Sequence, residues 1–405
     1  MNLTLSSATL SGPLADGSTV RRRRMRARTS MAALAVVFAL LLSAPPARAV
    51  DLTLSQEATD ATGRILDSLK TQSSGSDPRY FSDAVWHDGS PDCFRCTLGP
   101  AVLSAVYASN FGLVDSQPKT DAITSLDRAI KDHQRSDGSF GPAAAGEGGP
   151  GIQTVEFANL LASTYLYLGL GLDLAHRRSW ADSLTRSADY LVKSGNSRYY
   201  TNGNINLAIT VNLDLTYRIT KLARFKTAAD ASYSFTVAPP QAQWKGFGLT
   251  VTRPPTNADG SDGSGYLAEK GANGTGYDPA YGLFQTDIAS MWYVVTGDAR
   301  AKYLSNLLVN QLQPRVRTSD WTIDVSGGTR RSAPGLRYRF AVSAVAVLAL
   351  KGGREDLKPW VRPMTLAALK DYQSTTSYSN PGDSYNYGIQ LAPTVRAITT
   401  SLIVI

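Results

Sequence analysis

Residues 153–171 read QTVEFANLLASTYLYLGLG, and residues 177–194 read RRSWADSLTRSADYLVKS. In the first stretch Leu160, Leu161, Tyr165 and Leu168 fall at i, i+1, i+5 and i+8, a helical apolar face, and most of the remaining positions are apolar too. The second interleaves charged and apolar residues in an amphipathic pattern, as a helix half in water does. The same alternation recurs along the chain. Helical patterns fall near 52–72, 97–110, 118–134, 153–171, 177–194, 204–224, 280–296, 298–312, 337–351, 360–371 and 386–404. Residues 340–350 are nearly all apolar and end at Gly352-Gly353, a length that suits a helix buried on all sides and is too short for a membrane span. Buried helices alternating with amphipathic ones predict stacked hairpins in two concentric layers, a mainly α fold of the (α/α) toroid type. No strict sequence period is present, which argues against a regular solenoid. No linker-like composition divides residues 50–405, which read as one domain.

Strand signals are few: Thr236-Val237, residues 249–252 and residues 321–325. The Gly-, Asp-, Asn- and Pro-rich segment 238–276 is too long for an ordinary connection, and irregular segments of that length in compact domains usually carry function.

The N-terminus reads as an export signal. Arg21–Arg24, Arg26 and Arg28 form a basic region, residues 31–44 an apolar one, and Ala47-Arg48-Ala49 a small-x-small cleavage site. Residues 1–49 are therefore expected to be removed near Ala49, giving a secreted protein without stable membrane insertion. The charge changes with them. The chain holds 41 Lys and Arg against 33 Asp and Glu; without the seven arginines and one aspartate of the leader, 34 remain against 32. The basic balance belongs to the signal and gives no reason to expect nucleic acid as a partner. Two cysteines, Cys93 and Cys96, stand in a Gly-, Pro- and Asp-rich stretch without further metal ligands nearby, and in an exported chain they are expected to pair as a small disulfide.

Two further stretches share one design. Residues 199–206 read YYTNGNIN and residues 276–282 read GYDPAYG; each polar, aromatic turn runs straight into a helix. An all-helical scaffold lines a pocket with residues gathered where helices begin. No metal-ligand spacing, phosphate loop or nucleophile motif occurs elsewhere, so neither metal nor cofactor is expected.

Asp137-Gly138-Ser139-Phe140-Gly141 with Gln153 and Glu156 resembles the Asp-Gly-Ser-Phe/Trp-Gly turn of α/α-toroid proteins. Gly276-Tyr277-Asp278-Pro279-Ala280-Tyr281 followed by Thr296-Gly297-Asp298 is similar to a pattern in secreted polysaccharide lyases and glycoside hydrolases of that fold. The resemblance covers residues 130–300 at motif level. The chain lacks the long C-terminal β-sandwich and the Trp-rich Asn motif of chondroitin- and hyaluronate-type lyases. An acidic Asp-x-Asp-Asp motif, as in terpene cyclases, is also absent.

The resemblance implies a lyase that cleaves a uronate-containing polysaccharide by β-elimination. Such an enzyme needs a group to neutralise the carboxylate and another to move the adjacent proton. The candidates for catalysis are Tyr277, Tyr281, His87, Asn204 and Arg337, the last beside Tyr338 and Arg339. Those for substrate binding are Tyr200, Asn202, Asn206, Asp278, Glu156, Asp287, Gln285, Trp86 and Trp244, with Trp292 as a further ring that can stack on sugar. His133 and His176 lie in amphipathic contexts and are expected at the surface. Plainer roles compete: Asn204 as a helix cap, Tyr277 and Tyr281 as core rings, and Asp278 as an N-cap before a proline at N1. A glycoside hydrolase is the alternative, with its paired carboxyls drawn from Asp137, Glu156, Asp278 and Asp287. Glu156 and Asp287 stand out, because a charge inside an apolar helix is costly unless partnered. A secreted protein that binds glycan or a partner without catalysis is the third reading.

Overall fold

Buried and water-facing helices alternate along the chain and close into a double ring. The computed structural model describes residues 52–72, 80–87, 98–110, 116–141, 152–193, 202–240, 247–330, 333–339, 342–374 and 385–401, all within the unit Asp51–Val404. Among them are twelve α-helices. Six form the inner ring: α2 (Leu98–Asn110), α4 (Ile152–Leu168), α6 (Gly203–Thr220), α8 (Pro279–Thr296), α10 (Val342–Leu350) and α12 (Ala392–Thr400). Six lie outside them: α1 (Leu52–Lys70), α3 (Gln117–His133), α5 (Leu174–Val192), α7 (Ala223–Thr236), α9 (Ala299–Leu312) and α11 (Lys358–Ser374). Each inner helix packs on the inner helices before and after it, and α12 packs back on α2. The outer helices pack on the inner ones, and α1 joins α11 to α12.

Sequence dictates the layers. Residues 154–164 of α4 are buried without a break, and so are residues 203–216 of α6 and 343–349 of α10. In α3 the buried apolar positions Ala122, Leu126 and Ala129 keep helical spacing, so one face is covered and the other is wet. Short connections reverse the chain. Lys221 adopts φ 60° and Gly297 φ 66°, left-handed residues that end α6 and α8 and start the next outer helix at once. The inner helices consequently run in one direction, and their N-terminal ends share one rim.

Polar contacts tie the ring at both rims. At the C-terminal rim the buried Asp214 of α6 accepts from Arg218 Nε (2.7 Å), Arg300 Nη2 (3.1 Å) and the fully buried Trp292 Nε1 (2.8 Å). At the N-terminal rim Asp287 of α8 accepts from Ser343 of α10 and from Gln390 Nε2 at 2.9 Å. Gln390 lies in a π-helical turn, Tyr387–Leu391, that leads into α12.

Four small sheets decorate this scaffold. β1 (Phe81–Ser82) and β2 (Val85–Trp86) form a hairpin, as do β3 (Leu249–Arg253) with β4 (Ser264–Leu267) and β5 (Glu269–Gly271) with β6 (Gly274–Gly276). β7 (Val316–Arg317), β8 (Thr322–Asp324) and β9 (Arg337–Arg339) form a three-stranded sheet. The long segment after α7 therefore folds largely as two hairpins. Asn310 Nδ2 of α9 holds its turn through Ser261 O (2.9 Å) and Gly263 O (2.6 Å), and the buried Arg354 orients that amide from behind (3.0 Å).

Three readings of the sequence are corrected. The pattern 204–224 ends at Lys221, and a separate helix, α7, follows; Thr236-Val237 is the end of that helix and not a strand. The pattern 337–351 divides into strand β9 and helix α10. In these places the apolar pattern runs on through the boundary, and the backbone draws it.

Replacing Asp287 by Ala leaves the Ser343 hydroxyl and the Gln390 amide buried without their acceptor. Each such group costs about 1–3 kcal/mol. Urea denaturation should give a lower midpoint for Asp287→Ala; an unchanged midpoint would show that this seam does not hold the ring.

Candidate functional site: the shared entrance to α6 and α8

The turn before α6 has an unusual cap. Asn202 occupies the N-cap position but makes no side-chain cap bond. The carboxylate of Glu269, from strand β5, takes its place: Oε1 accepts the Asn204 amide at 2.7 Å. The two strand ends approach α6 closely, and the Gly203 amide donates to Ala268 O at 3.0 Å. A Cβ on Gly203 would lie 2.4 Å from Leu267 Cβ, so only glycine permits the crossing.

Gln285 of α8 grips the same carboxyl from the other side. Its Nε2 donates to Glu269 Oε1 (2.8 Å) and to Leu267 O (3.0 Å). Both partners thus use one oxygen. Oε2 is buried and has no hydrogen-bond partner among the described residues. Burial pushes the Glu269 carboxyl up to about 7; the Asn204 amide and Gln285 oppose the shift, and so does the nearby charge of Arg330, while Asp278 reinforces it. A buried acceptor without a donor signals a missing ligand, a water or a catalytic role.

Near this carboxyl, α8 opens with Asp278 as N-cap and Pro279. Asp278 is buried and fully engaged: Oδ1 accepts the Tyr281 amide (3.0 Å), and Oδ2 accepts the Arg330 amide (2.6 Å). The chain at Thr329 is laced to the β5–β6 hairpin, with its hydroxyl on Glu269 O (3.0 Å) and its carbonyl on the Asn273 amide (3.0 Å). Arg330 projects from that anchored loop, its guanidinium 4.1 Å above the Tyr281 ring.

The structure brings Asn202, Asn204, Asn206, Gln285, Tyr277, Asp278 and Tyr281 to this one entrance. Asn204 Oδ1 accepts the Ile205 amide at 2.9 Å, and Asn206 Oδ1 is buried without a partner among the described residues. Tyr277 is set inward: its ring packs on Tyr266 (5.0 Å) and under Arg315 (5.5 Å), and its hydroxyl is buried beside Gln311. Burial pushes that phenol up to about 12. Its anion is disfavoured and its proton hard to release, which suits packing better than proton transfer.

Other candidates stand apart. Arg337 is engaged across β8–β9, with Nε on Thr322 Oγ1 (2.8 Å) and Nη2 on Thr322 O (3.1 Å), and is not free to steady a substrate carboxylate. Trp86 is buried against Phe81 (4.9 Å), and Trp292 is sealed in the core, so neither ring faces a sugar. His87 ends the β1–β2 hairpin, with Nε2 3.2 Å from Ser82 O and the ring 5.1 Å from Tyr80. His133 is buried, contrary to expectation, with Nδ1 3.0 Å from Gly141 O. His176 sits between Asp173 (2.6 Å) and Asp127 (3.1 Å). Asp137 closes its own turn on the Ser139 amide (2.9 Å) and hydroxyl (2.7 Å). Glu156 is buried within α4, and Asp287 belongs to the seam joining α8, α10 and α12, where burial pushes it up to about 7. Tyr200, Trp244, Cys93, Cys96 and residues 1–49 lie outside the described residues.

Glu269 and Arg330 were missed by the sequence reading. The signal for Glu269 was its place in the long segment 238–276; nothing local marks Arg330.

No family model matches the chain, and no curated protein matches it. Solved structures do. A D-mannose isomerase is 12% identical with a TM-score of 0.52, covering 90% of this chain and 100% of its own. A glycoside hydrolase family 76 mannosidase from Bacteroides thetaiotaomicron is 11% identical with a TM-score of 0.45, covering 85% and 97%. An unsaturated glucuronyl hydrolase from Streptococcus agalactiae is 14% identical with a TM-score of 0.47, covering 84% and 90%. At these identities the likeness concerns fold. The fold is the mainly helical (α/α) toroid.

The raised carboxyls set a pH dependence. Glu269 and Asp287 bind protons more tightly folded than unfolded, so their stabilisation is complete below the unfolded carboxyl range and is lost as pH rises through about 7. The thermal midpoint should fall between pH 5 and pH 8, and Glu269→Gln should flatten that fall. A parent midpoint that climbs over the same range would contradict the assignment.

Proposed function

We propose that this chain is a secreted carbohydrate-active enzyme that cleaves a uronate-containing polysaccharide by β-elimination, with Glu269 as the proton-transfer group. The observation that carries the reading is the buried Oε2, without a partner among the described residues, of a carboxyl whose other oxygen is fixed by the Asn204 amide and Gln285. A group that titrates near neutrality and is held rigidly meets the needs of general acid–base catalysis. The isomerase that shares the fold is described as acting on D-mannose, which supports a sugar as substrate. The export pattern of residues 1–49 supports action outside the cell.

In this reading the Glu269 carboxylate takes the proton next to the uronate carboxylate. The C–H electrons form the carbon–carbon double bond, the glycosidic C–O bond breaks, and the leaving oxygen receives a proton. We assign that proton to Tyr281, half-exposed in the first turn of α8 under the Arg330 guanidinium. Water is not consumed, so one titrating carboxyl suffices.

A glycoside hydrolase would use two carboxyls, roughly 5–9.5 Å apart. Glu269 and Asp278 interact, which favours this second reading, but both Asp278 oxygens are bound to backbone amides. Elimination fits the described residues better.

The test is incubation with a panel of acidic glycans, following ultraviolet absorbance from the unsaturated product and new reducing ends. Elimination yields both; hydrolysis yields reducing ends alone; no product with any glycan favours a binding protein. With a substrate in hand, Glu269→Gln should lower kcat by ~10²–10⁴, the usual effect of removing a general acid or base. Tyr277→Phe should keep activity near the parent's, and Tyr281→Phe should lose much of it. An active Glu269→Gln enzyme would refute the assignment.

A further inference from the structure

Among the described residues, none places an anionic group on Arg330 at this entrance. Its guanidinium forms no ion pair or hydrogen bond with any described residue, and it stacks on the Tyr281 ring at 4.1 Å. The rest of the residue is fixed. Its amide is bound to buried Asp278, and the preceding Thr329 is tied by its hydroxyl to Glu269 O, by its carbonyl to Asn273 and by its amide to Tyr277 O (3.2 Å). Neighbouring arginines differ: Arg315 is engaged with Asp324 O and Ser326 O, Arg337 with Thr322, and Arg354 with Asn306, Asn310 and Asp356. An exposed arginine stacked on an aromatic ring keeps its planar fork of donors open, and that fork fits a carboxylate in bidentate geometry.

From this placement we infer that Arg330, stacked on Tyr281, is the binding residue for the carboxylate of an acidic sugar. The second observation is the fully buried Oε2 of Glu269 at the same entrance, without a partner among the described residues and near enough for the two charges to interact. A bound monoanion on Arg330 sets the sugar ring's adjacent C–H beside a carboxyl that can accept the proton, and the guanidinium stabilises the charge that then builds on the substrate carboxylate. Glu269 and Asp278 also limit the ligand's charge. One negative charge is balanced by Arg330, while a dianionic phosphate would meet two carboxyls with one cation. A neutral sugar would leave the guanidinium unused. The inference rests on the entrance being the substrate site, and it names the substrate class and the residue that selects it.

The experiment measures binding to the Glu269→Gln protein by calorimetry, with a glucuronate-containing oligosaccharide and with the same oligosaccharide after reduction of its carboxyls. The acidic form should bind at least about tenfold more tightly, because a hydrogen bond to a charged group contributes ~1.5–3 kcal/mol. Adding Arg330→Gln should abolish that preference, and Arg330→Lys, which keeps the charge without the fork, should restore only part of it. Equal affinities for the two oligosaccharides, or a preference that survives Arg330→Gln, overturns the inference. Arg330 is exposed, so its replacements should fold; a thermal midpoint matching the parent's checks this. The two readings fail separately. Arg330-dependent binding by a wild-type protein that turns over no glycan sinks the elimination reading and supports the inference. Turnover of acidic glycans with an unchanged KM in Arg330→Gln sinks the inference and leaves elimination standing.

Discussion

The hydrogen bond from the Asn204 amide to Glu269 Oε1, 2.7 Å long and buried, is the contact on which the candidate site depends. It replaces the side-chain cap that Asn202 does not supply, fastening the β4–β5 crossing to the start of α6. Because Gln285 takes the same oxygen, α6 and α8 are both referred to one carboxyl. The unmatched oxygen and the raised proton affinity follow from that arrangement. A helix N-terminus favours a negative charge, while burial opposes it, and the result is a group held near its titration midpoint at neutral pH.

The ring makes such a placement available. Six parallel inner helices bring six N-termini to one rim, and backbone amides there need partners from outside their own helices. At α6 the partner is Glu269; at α8 it is Asp278, whose side chain caps the helix in the ordinary way and also pins the loop that carries Arg330. Two carboxyls with similar neighbours thereby differ in use. Asp278 has each oxygen bound by a backbone amide, whereas Glu269 keeps one oxygen without a partner among the described residues. At the opposite rim Asp214 has both oxygens engaged, by Arg218, Arg300 and Trp292, which marks it as architecture.

Much of the fold was legible in the sequence because burial leaves a trace in composition. The largely apolar stretch of α4 and the one-sided pattern of α3 gave the two layers directly. The break at Lys221 was not legible, since a lysine in left-handed geometry carries no local signal of the kind Gly297 gives. At the site, Asn204, Gln285, Asp278 and Tyr281 could be found because they sit at helix starts. Glu269 and Arg330 reach the same place from a hairpin and a loop, 65 and 126 positions after Asn204, and only the folded chain brings them there. Trp86 and Arg337 looked suited to sugar binding by residue type, and tertiary contacts had already claimed them.

The most direct measurement is a crystal structure of the Glu269→Gln protein soaked with a uronate-containing oligosaccharide. The account predicts sugar density at the entrance to α6 and α8, within hydrogen-bonding distance of residue 269. Ordered sugar at the opposite rim near Asp214 and Arg300, with none beside residue 269, would contradict it.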